Sequence, residues 1–462
     1  MARPEGFGPV RQQLGEPSGA RLRSRAMNLF SIWPPFGFHE NPYSNQNLPP
    51  DETGDQLLVG RDAEVERLAR SIGSMGTHPS VEGLAGVGKS SLIAVAGYRM
   101  MQRCIASAGG TLFLPATRFF QASESLDDFV AEVYWEVAQT LIARVDAFRH
   151  AGLTLPDVAE LNKWLNNPQY REGGLTIAGT GGSAASSPNE TEGFLRSGFP
   201  AAIRRELERV FPGPGAGGIV CVLDNLELLQ TSAEARSVLE GLRDEVFNLP
   251  GLRWVLCGSR GIVSRARSQR LSGIFNPPLI LGPLPQEASA ELIARRIDYF
   301  GTDAAYPPVT PASFEFLYRA LNQNLRDALA YAQQFSQWLY GEYIAVDLDL
   351  PAQHEIDQFL QVWLTEEADG AHAEARSVQR RQWQFFDDLA KRGGSAGANE
   401  WESYGFSTQQ QFSSSVTALV NTNLAVRETD PDNAARSLAT ITPQGWLVHF
   451  HRNRYSLPTS DT

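Results

Sequence analysis

The first 285 residues alternate between short apolar runs and longer segments in which apolar positions recur periodically. The short runs suit strands that are buried on both faces of a parallel sheet, and they are residues 78–82, 111–114, 219–223, 254–257 and 279–281. Longer segments, such as residues 125–149, repeat apolar residues at helical spacing. Strands that alternate with helices in this way predict an α/β domain with a doubly wound parallel sheet.

From Pro285 onward the apolar positions follow a helical period only. Residues 287–300, 314–321, 325–338 and 354–367 each carry such a stripe, which predicts an all-α module. The final part changes again, with helical patterns at 379–391 and 407–420, strand-like segments at 424–427 and 437–441, and a last helix that starts at Thr442-Pro443. Helices followed by a two-stranded hairpin are the pattern of a winged helix.

These patterns divide the chain into four parts: residues 1–40, 41–284, 285–372 and 373–458. Residues 1–26 are rich in Gly, Pro and Arg, and we expect them to be disordered. The aromatic segment 30–38 is expected to pack on the domain or on a partner. Residues 172–193 have low complexity and predict a mobile insertion within the α/β domain.

A phosphate-binding P-loop lies directly after the first predicted strand. Residues 83–90 have the pattern G-x-x-x-x-G-K-S, and lysine occurs at only three positions of the chain, so a chance match is rare. The glycines allow the backbone N–H groups to close around a triphosphate, Lys89 adds a charge at the β/γ oxygens, and the Ser90 hydroxyl can ligate Mg²⁺. The candidate phosphate-binding residues are Gly83, Ala85, Gly86, Val87, Gly88, Lys89, Ser90 and Ser91.

An acidic residue closes the apolar run at 219–223. Asp224 is therefore the candidate that would hold Mg²⁺ together with Ser90. Many hydrolytic P-loop enzymes place a glutamate next, as the base for the attacking water, but this chain has Asn225. An amide orients water without taking its proton, which predicts either slow hydrolysis or a base at Glu227.

Six motifs together resemble the STAND group of P-loop ATPases, close to the origin-recognition branch of the AAA+ ATPases. They are VGRDAE at 59–64, the P-loop at 83–90, LDNLE at 223–227, WVLCGSR at 254–260, LGPL at 281–284 and NLRDAL at 324–329. The last resembles the sensor-2 helix, with Gln323 where glycine is usual. The resemblance implies a P-loop domain, a helical lid and a C-terminal winged helix.

The resemblance also implies roles for individual residues. The residues that would border the adenine are Asn41, Pro42, Val59, Gly60 and Arg61. Ser259 or Arg260 would sense the γ-phosphate, and Arg326 would reach it from the lid. An arginine finger for a neighbouring subunit could lie among Arg265, Arg267 and Arg270, although these residues are also typical of a solvated face.

The predicted recognition helix of the winged helix leaves two interpretations open. Its Gln409, Gln410 and Gln411, and the serines at 413–415, can hydrogen-bond to base edges. No Lys or Arg lies between residues 407 and 420 to contact phosphates, although Arg427, Arg436, Arg452 and Arg454 lie nearby in the sequence. The domain therefore either contacts DNA or folds back on the nucleotide domain, as the winged helix of STAND proteins often does.

Charge and cysteine content narrow the class of protein. The net charge of −12 argues against a surface coated with basic residues for non-specific DNA binding. No apolar run approaches the length of a membrane span, which predicts a soluble protein. Cys104, Cys221 and Cys257 form neither a metal-binding spacing nor a disulfide framework, as expected in a reducing cytoplasm.

The sequence therefore predicts an ATP- and Mg²⁺-binding ATPase that works as a slow molecular switch. Nucleotide would control domain arrangement, oligomerisation or engagement of a partner protein. The alternative is an origin-recognition or loader-like ATPase whose winged helix binds duplex DNA. A third possibility is a module that binds nucleotide structurally without turnover. A bacterial origin is implied by the family alone.

Overall fold

The structure is a computed structural model of the chain. It describes residues 31–453, apart from 75, 108, 122–124, 167–197, 227–231, 260, 262, 264, 265, 267, 272 and 431–432. The predicted disordered segment at 1–26 and the predicted insertion at 172–193 lie outside the described residues. Glu227, Arg260, Arg265 and Arg267 lie outside them too.

The α/β core is built on a parallel sheet, which confirms the predicted fold class. Within the described residues the strand order is β2-β4-β5-β1-β6, and β3 pairs with β4 beyond the end of β2. All of these pairings are parallel. The strands are β1 (Ser80–Gly83), β2 (Leu112–Pro115), β3 (Phe120–Gln121), β4 (Gly217–Asp224), β5 (Leu252–Gly258) and β6 (Leu279–Leu281).

Helices cover both faces of this sheet, as the continuous apolar runs require. Because side chains alternate along a strand, β4 presents Ile219, Cys221 and Leu223 to one core and Val220 and Val222 to the other. The helices are α1 (Glu52–Leu57), α2 (Asp62–Gly73), α3 (Lys89–Ser107), α4 (Leu126–Ala143), α5 (Val145–His150), α6 (Val158–Asn166), α7 (Phe199–Val210) and α8 (Ser232–Leu242), and a π-helical turn at Arg243–Phe247 follows.

Four helices form a lid domain after β6. They are α9 (Gln286–Phe300), α10 (Pro311–Ala320), α11 (Leu325–Glu342) and α12 (Gln353–Glu374). Two of them start at side-chain caps, because Thr310 accepts a hydrogen bond from the Ser313 N–H and Asn324 accepts one from the Asp327 N–H. Their apolar stripes meet in a core that includes Phe314, Leu317 and Phe335.

The N-terminal segment at residues 31–50, which we call the strap, packs on the lid. Trp33, Phe36, Phe38 and Tyr43 are buried in the lid core. The strap also bonds to the lid backbone, since the His39 N–H donates to the Phe300 carbonyl at 2.9 Å. The aromatic residues that stand out in the sequence are therefore lid-core residues, although they precede the α/β core in the chain.

The C-terminal domain combines three helices with an antiparallel sheet. Its elements are α13 (Arg380–Lys391), β7 (Ser395–Gly397), α14 (Gln409–Asn421), β8 (Ala425–Asp430), β9 (Asn433–Ile441) and α15 (Pro443–Asn453), with strand order β7-β9-β8. Helix α14 turns Phe412, Val416 and Leu419 into the domain core. This order of helix, short strand, helix and hairpin contains the elements of a winged helix.

Helix α15 joins this domain to the lid. Its Leu447 belongs to the lid core, while the next residue, Val448, belongs to the core of its own domain. Phe450 contacts Phe316 of α10 with ring centroids 5.5 Å apart, and His451 lies 3.0 Å from Asp369 of α12. In the described part of the chain, no helix is long and apolar enough to cross a membrane.

Candidate functional site

The P-loop leaves the carboxyl end of β1 and leads directly into α3. Gly86 and Gly88 have φ angles of 81° and 93°, in the left-handed region that glycine adopts without strain. The helix starts at Lys89, so its first N–H groups point back toward the loop. Loop and helix together form the arrangement of N–H donors and positive helix end that binds phosphate.

Lys89 lies within the loop. Its Nζ donates hydrogen bonds to the carbonyl oxygens of Gly83 at 3.0 Å and Leu84 at 3.1 Å, and the side chain is buried. These carbonyls hold the ammonium group next to the place where the motif would put the β/γ-phosphate oxygens of a nucleotide. Phosphate oxygens are stronger acceptors for an ammonium group than neutral carbonyls.

Ser90 and Asp224 meet across the sheet edge. The Ser90 Oγ donates a hydrogen bond of 2.8 Å to Oδ2 of Asp224. A hydroxyl and a carboxylate are hard oxygen ligands, and Mg²⁺ typically takes one or two such protein ligands and completes its shell with phosphate and water. The pair fits a Mg²⁺ ion of this kind. The described residues contain no group of three His, Cys, Asp or Glu that could hold a metal by itself.

Asn225 adopts an unusual backbone conformation at the end of β4. Its φ of 54° is left-handed, and its N–H donates to Oδ1 of Asp224 at 2.9 Å. Its side-chain Nδ2 donates to Oε1 of Gln121 at 3.0 Å. Sequence reasoning missed Gln121, because a two-residue strand such as β3 leaves no periodic signal.

A cavity of about 100 Å³ is lined by residues of both the P-loop and the lid. Besides the P-loop residues 85–91, its wall includes Asn225 and several lid residues, namely Leu284, Leu292, Arg296, Leu325, Arg326 and Leu329. On the amino-terminal side the wall is formed by Asn45, Gln46, Asn47, Leu48, Leu57, Leu58, Val59 and Arg61. The sequence motifs identified Val59, Arg61 and Arg326 but not the residues of the strap or of α9.

The lid touches the P-loop directly. Asn324, the N-cap of α11, donates from Nδ2 to the Ala85 carbonyl at 3.3 Å. A Cβ on Gly86 would lie 2.2 Å from Oδ1 of Asn324 and 3.0 Å from Cβ of Arg326. Gly86 is therefore required both for its backbone conformation and for the close approach of α11.

Two neighbours of Arg326, in the segment that resembles a sensor-2 helix, have unusual properties. Gln323, at the position where glycine is usual, has a φ of 59°, which is the left-handed conformation that favours glycine. Burial raises the pKa of the Asp327 carboxyl, and the charge of Arg326 opposes this rise. The positive side chain is thus placed beside both the cavity and an acid.

Arg61 has a structural position in this site. Its Nη2 donates to the carbonyls of Gly282 at 2.7 Å and Val87 at 3.4 Å, and its Nη1 lies 3.2 Å from Glu64. The buried guanidinium thereby ties the P-loop to the exit from β6. Its Nη1 and Nη2 groups are thus directed at the Glu64 carboxylate and at two backbone carbonyls, while the residue still lines the cavity.

Four further candidates are not among the residues that line the cavity. Asn41 donates to Oε1 of Gln333 at 3.0 Å, and the Pro42 carbonyl accepts a hydrogen bond from Arg296. Gly60 has a φ of 66° and lies against Ala288 and Leu284. Ser259 follows the end of β5. Ser91 does line the cavity, and its Oγ accepts a hydrogen bond of 3.0 Å from the Leu48 N–H of the strap.

No protein-family model matches the chain, and no curated protein matches it. Solved structures do match. The ORC1 protein of Aeropyrum pernix in complex with DNA is 14% identical, with a TM-score of 0.43, and the match covers 91% of this chain and 97% of that chain.

Two more structures have comparable similarity. The Walker-type ATPase paby2304 of Pyrococcus abyssi is 14% identical, with a TM-score of 0.40 and coverage of 88% and 99% of the two chains. The Drosophila ORC bound to DNA is 12% identical, with a TM-score of 0.38 and coverage of 95% and 96%.

The chain is similar to origin-recognition and Walker-type ATPases. ORC structures, to which the motifs showed a resemblance, are thus among the structures that match, and none of the three is described as a STAND protein. Because the identities are 14% or lower and the TM-scores are below 0.5, the function has to be inferred from the site itself.

Proposed function

We propose that this chain is an ATPase of the AAA+ type that binds ATP and Mg²⁺ between its α/β core and its lid. The observation that carries this proposal is the contact between Asn324 of the lid and the P-loop carbonyl of Ala85, with Arg326 in the same cavity. Phosphates bound by residues 86–91 would lie beside both. ATP and ADP differ at the γ-phosphate, so they would differ in their interaction with Arg326.

Nucleotide binding would then be linked to the position of the lid. The cavity measures about 100 Å³, whereas ligand pockets generally measure about 300–1,000 Å³. A bound nucleotide would therefore need more room than this arrangement offers, and separation of the lid from the P-loop would supply it. Since α15 shares the lid core through Leu447, movement of the lid would carry the C-terminal domain with it.

Hydrolysis by this site is expected to be slow. Asn225 would orient a water through its amide, and neither this amide nor its hydrogen-bond partner Gln121 takes up a proton at neutral pH. Glu227 remains the candidate base from the sequence. Slow turnover would leave the ATP-bound arrangement in place for long periods, which suits a switch whose output is oligomerisation or engagement of a partner.

The first experiment measures ATP binding and turnover in the Lys89→Ala variant. We expect binding to weaken by at least about 10-fold and turnover to disappear, because the motif lysine contacts the β/γ-phosphates. Lys163→Ala, on the exposed part of α6, is the matched control and should behave like the wild type. Wild-type turnover in Lys89→Ala would contradict the ATPase assignment.

A second experiment tests the link to the lid. In Arg326→Ala, affinity for a non-hydrolysable ATP analogue should fall more than affinity for ADP. A size and shape measurement, such as sedimentation velocity with each nucleotide, would report oligomerisation and lid movement. Identical sedimentation profiles with ATP analogue, with ADP and without nucleotide would contradict the proposed switch. Only the proposal that the chain binds ATP would then remain.

A second candidate function is binding of duplex DNA through the C-terminal domain, and one observation favours it. Gln409, Gln410 and Gln411 at the start of α14 are exposed to solvent, so the face that could read base edges is available. Arg427 of β8 crosses to α14, donating to the Ser413 carbonyl at 3.0 Å and to Oγ1 of Thr417 at 2.6 Å. The two origin-recognition structures described above contain DNA.

Fluorescence anisotropy with a labelled duplex of about 30 base pairs tests this candidate. Few arginines lie near α14, so we expect a shallow dependence of affinity on salt, with a log–log slope of only about −2 to −4. Arg427→Ala should weaken binding, and Arg67→Ala on the exposed face of α2 should not. If the protein does not bind the duplex at low salt, with or without ATP analogue, this candidate function is wrong. The expected output is then engagement of a partner protein.

A further inference from the structure

Arg296 is a buried cation in the wall of the nucleotide cavity. It lies on α9, one turn after Leu292, and both side chains line the cavity. The residue is only 5% exposed. Neither the sequence motifs nor the resemblance assigns it a role, because nothing marks it in a helix that also contains Arg295.

One edge of the Arg296 guanidinium holds the strap. Its Nη1 donates to the Ser44 carbonyl at 2.6 Å and to the Pro42 carbonyl at 3.3 Å. These two bonds fix the segment directly before Asn45, Gln46 and Asn47, which form the neighbouring part of the cavity wall. Arg296 thus ties the strap to the lid at the site where a nucleotide would enter.

The other edge of the guanidinium has no partner among the described residues. The Nε is buried without a hydrogen bond, and no hydrogen bond of Nη2 occurs in that part of the chain. Arg296 also forms no ion pair with a described carboxylate. Burial lowers the pKa of Arg296 to about 10, so the group remains positively charged at neutral pH.

A buried donor without an acceptor, such as this Nε, is costly, and an acceptor that arrives with a ligand removes that cost. The Nε and Nη2 donors of arginine are parallel and suit one acceptor or a pair of acceptors. The phosphate end of the cavity already has Lys89, Arg326 and the N–H groups of the P-loop. Arg296 lies instead with Leu292 and the strap, where the nucleoside would lie.

We propose that Arg296 contacts the nucleoside part of the bound nucleotide, donating from its Nε–Nη2 edge to an acceptor on the base or the ribose. This inference rests on the proposed nucleotide-binding function and adds a recognition contact to it. The same side chain would then bind the strap with one edge and the nucleotide with the other. The strap, the lid and the nucleotide would form one connected unit.

A thermodynamic cycle tests the contact by changing protein and ligand together. Affinities of the wild type and Arg296→Met are measured for ATP, 7-deaza-ATP, 3-deaza-ATP and 2′-deoxy-ATP. Each analogue removes one acceptor of the nucleoside. We expect the wild type to lose about 10-fold in affinity for at least one analogue, and we expect this loss to disappear in Arg296→Met.

Controls separate this contact from a purely structural role. Arg296→Lys keeps the charge but loses the parallel donors, so it should give the same result if Arg296→Met does not fold. Arg67→Met, on the exposed face of α2, should show the wild-type losses. If every analogue loses the same factor in wild type and variants, Arg296 only holds the strap and the proposal is overturned. Unchanged ATP binding by Lys89→Ala would instead overturn the nucleotide site as a whole.

Discussion

The side-chain amide of Asn225 donates a hydrogen bond of 3.0 Å to Oε1 of Gln121. Strand pairing produces this contact, because Gln121 lies opposite Asp224 in the parallel pair of β3 and β4. The bond holds Asn225 in a left-handed conformation beside the nucleotide cavity. The position at which the sequence motif would place a catalytic base is therefore occupied by an amide that hydrogen-bonds to Gln121.

Asn225→Glu should increase ATP turnover. A glutamate can accept the proton of the attacking water, and general-base catalysis contributes about 10²–10⁴-fold. The left-handed backbone costs a glutamate about 1–2 kcal/mol, so part of this gain will be lost to strain. Phosphate release at saturating ATP and Mg²⁺ measures the effect, with Asn225→Gln as the control of the same length. Equal rates in the two variants would show that a missing base does not limit turnover.

The Ser90–Asp224 pair predicts how hydrolysis depends on Mg²⁺. Ser90→Ala and Asp224→Asn each remove one oxygen ligand or its charge, so the Mg²⁺ concentration needed for half-maximal turnover should rise by about 10-fold or more. Ser90→Thr keeps the hydroxyl and should stay close to the wild type. This prediction is tested by measuring ATP turnover as a function of Mg²⁺ concentration. Unchanged titration curves would place the ion elsewhere.

The buried hydroxyl of Tyr43 should contribute to the stability with which the strap packs on the lid. This hydroxyl donates to the Val309 carbonyl at 2.7 Å and accepts from the Val309 N–H at 3.0 Å, and the ring is fully buried. Tyr43→Phe leaves both backbone groups without a partner, which should lower the free energy of unfolding by about 1–3 kcal/mol. Urea unfolding measures this loss. Tyr299→Phe is the control, because its hydroxyl bonds to Thr53 at an exposed site and its loss should be nearly neutral.

The parts of the fold that follow a local pattern could be predicted from the sequence. The continuous apolar run of β4 predicts burial on both faces, and Ile219 and Val220 indeed face opposite cores. The P-loop motif predicts part of its own backbone, since Gly86 and Gly88 have left-handed φ angles, whereas Gly83 does not and instead lies close to the Leu281 carbonyl. Ser90 and Asp224 could be paired because the motif fixes one of them and the strand end fixes the other.

The remaining parts depend on contacts between distant segments. Arg296 and Ser44 are 252 positions apart, and no periodicity relates a lid helix to the strap. Strands β3 and β7 are two and three residues long, too short to show alternation. At the proposed nucleotide site, the motifs and the resemblance indicated the P-loop and the adenine-bordering candidates Val59 and Arg61, but not Asn45 to Leu48 of the strap or Arg296 of α9.

His78 is buried at the edge of the sheet opposite the P-loop, as a neutral imidazole. Its Nδ1 accepts a hydrogen bond of 3.2 Å from the Trp254 N–H, and its Nε2 lies 2.9 Å from the Phe247 carbonyl, to which it donates. Burial lowers the pKa of His78 to about 4, and the charge of Arg253 adds to this effect. The ordinary pKa of histidine is about 6.5.

Because of His78, the free energy of unfolding should therefore decrease as the pH falls. Above pH 6.5 the imidazole is neutral in both states, and its contribution to stability is complete. As the pH falls from about 6.5 to about 4, the unfolded chain takes up the proton first, so up to about 3 kcal/mol of stability is lost.

His78→Gln keeps an acceptor and a donor but does not titrate, so its unfolding free energy should fall less over this range. His150→Gln, at an exposed site, should retain the wild-type slope. A constant difference between wild type and His78→Gln from pH 7 to pH 4 would show that protonation of His78 is not linked to unfolding.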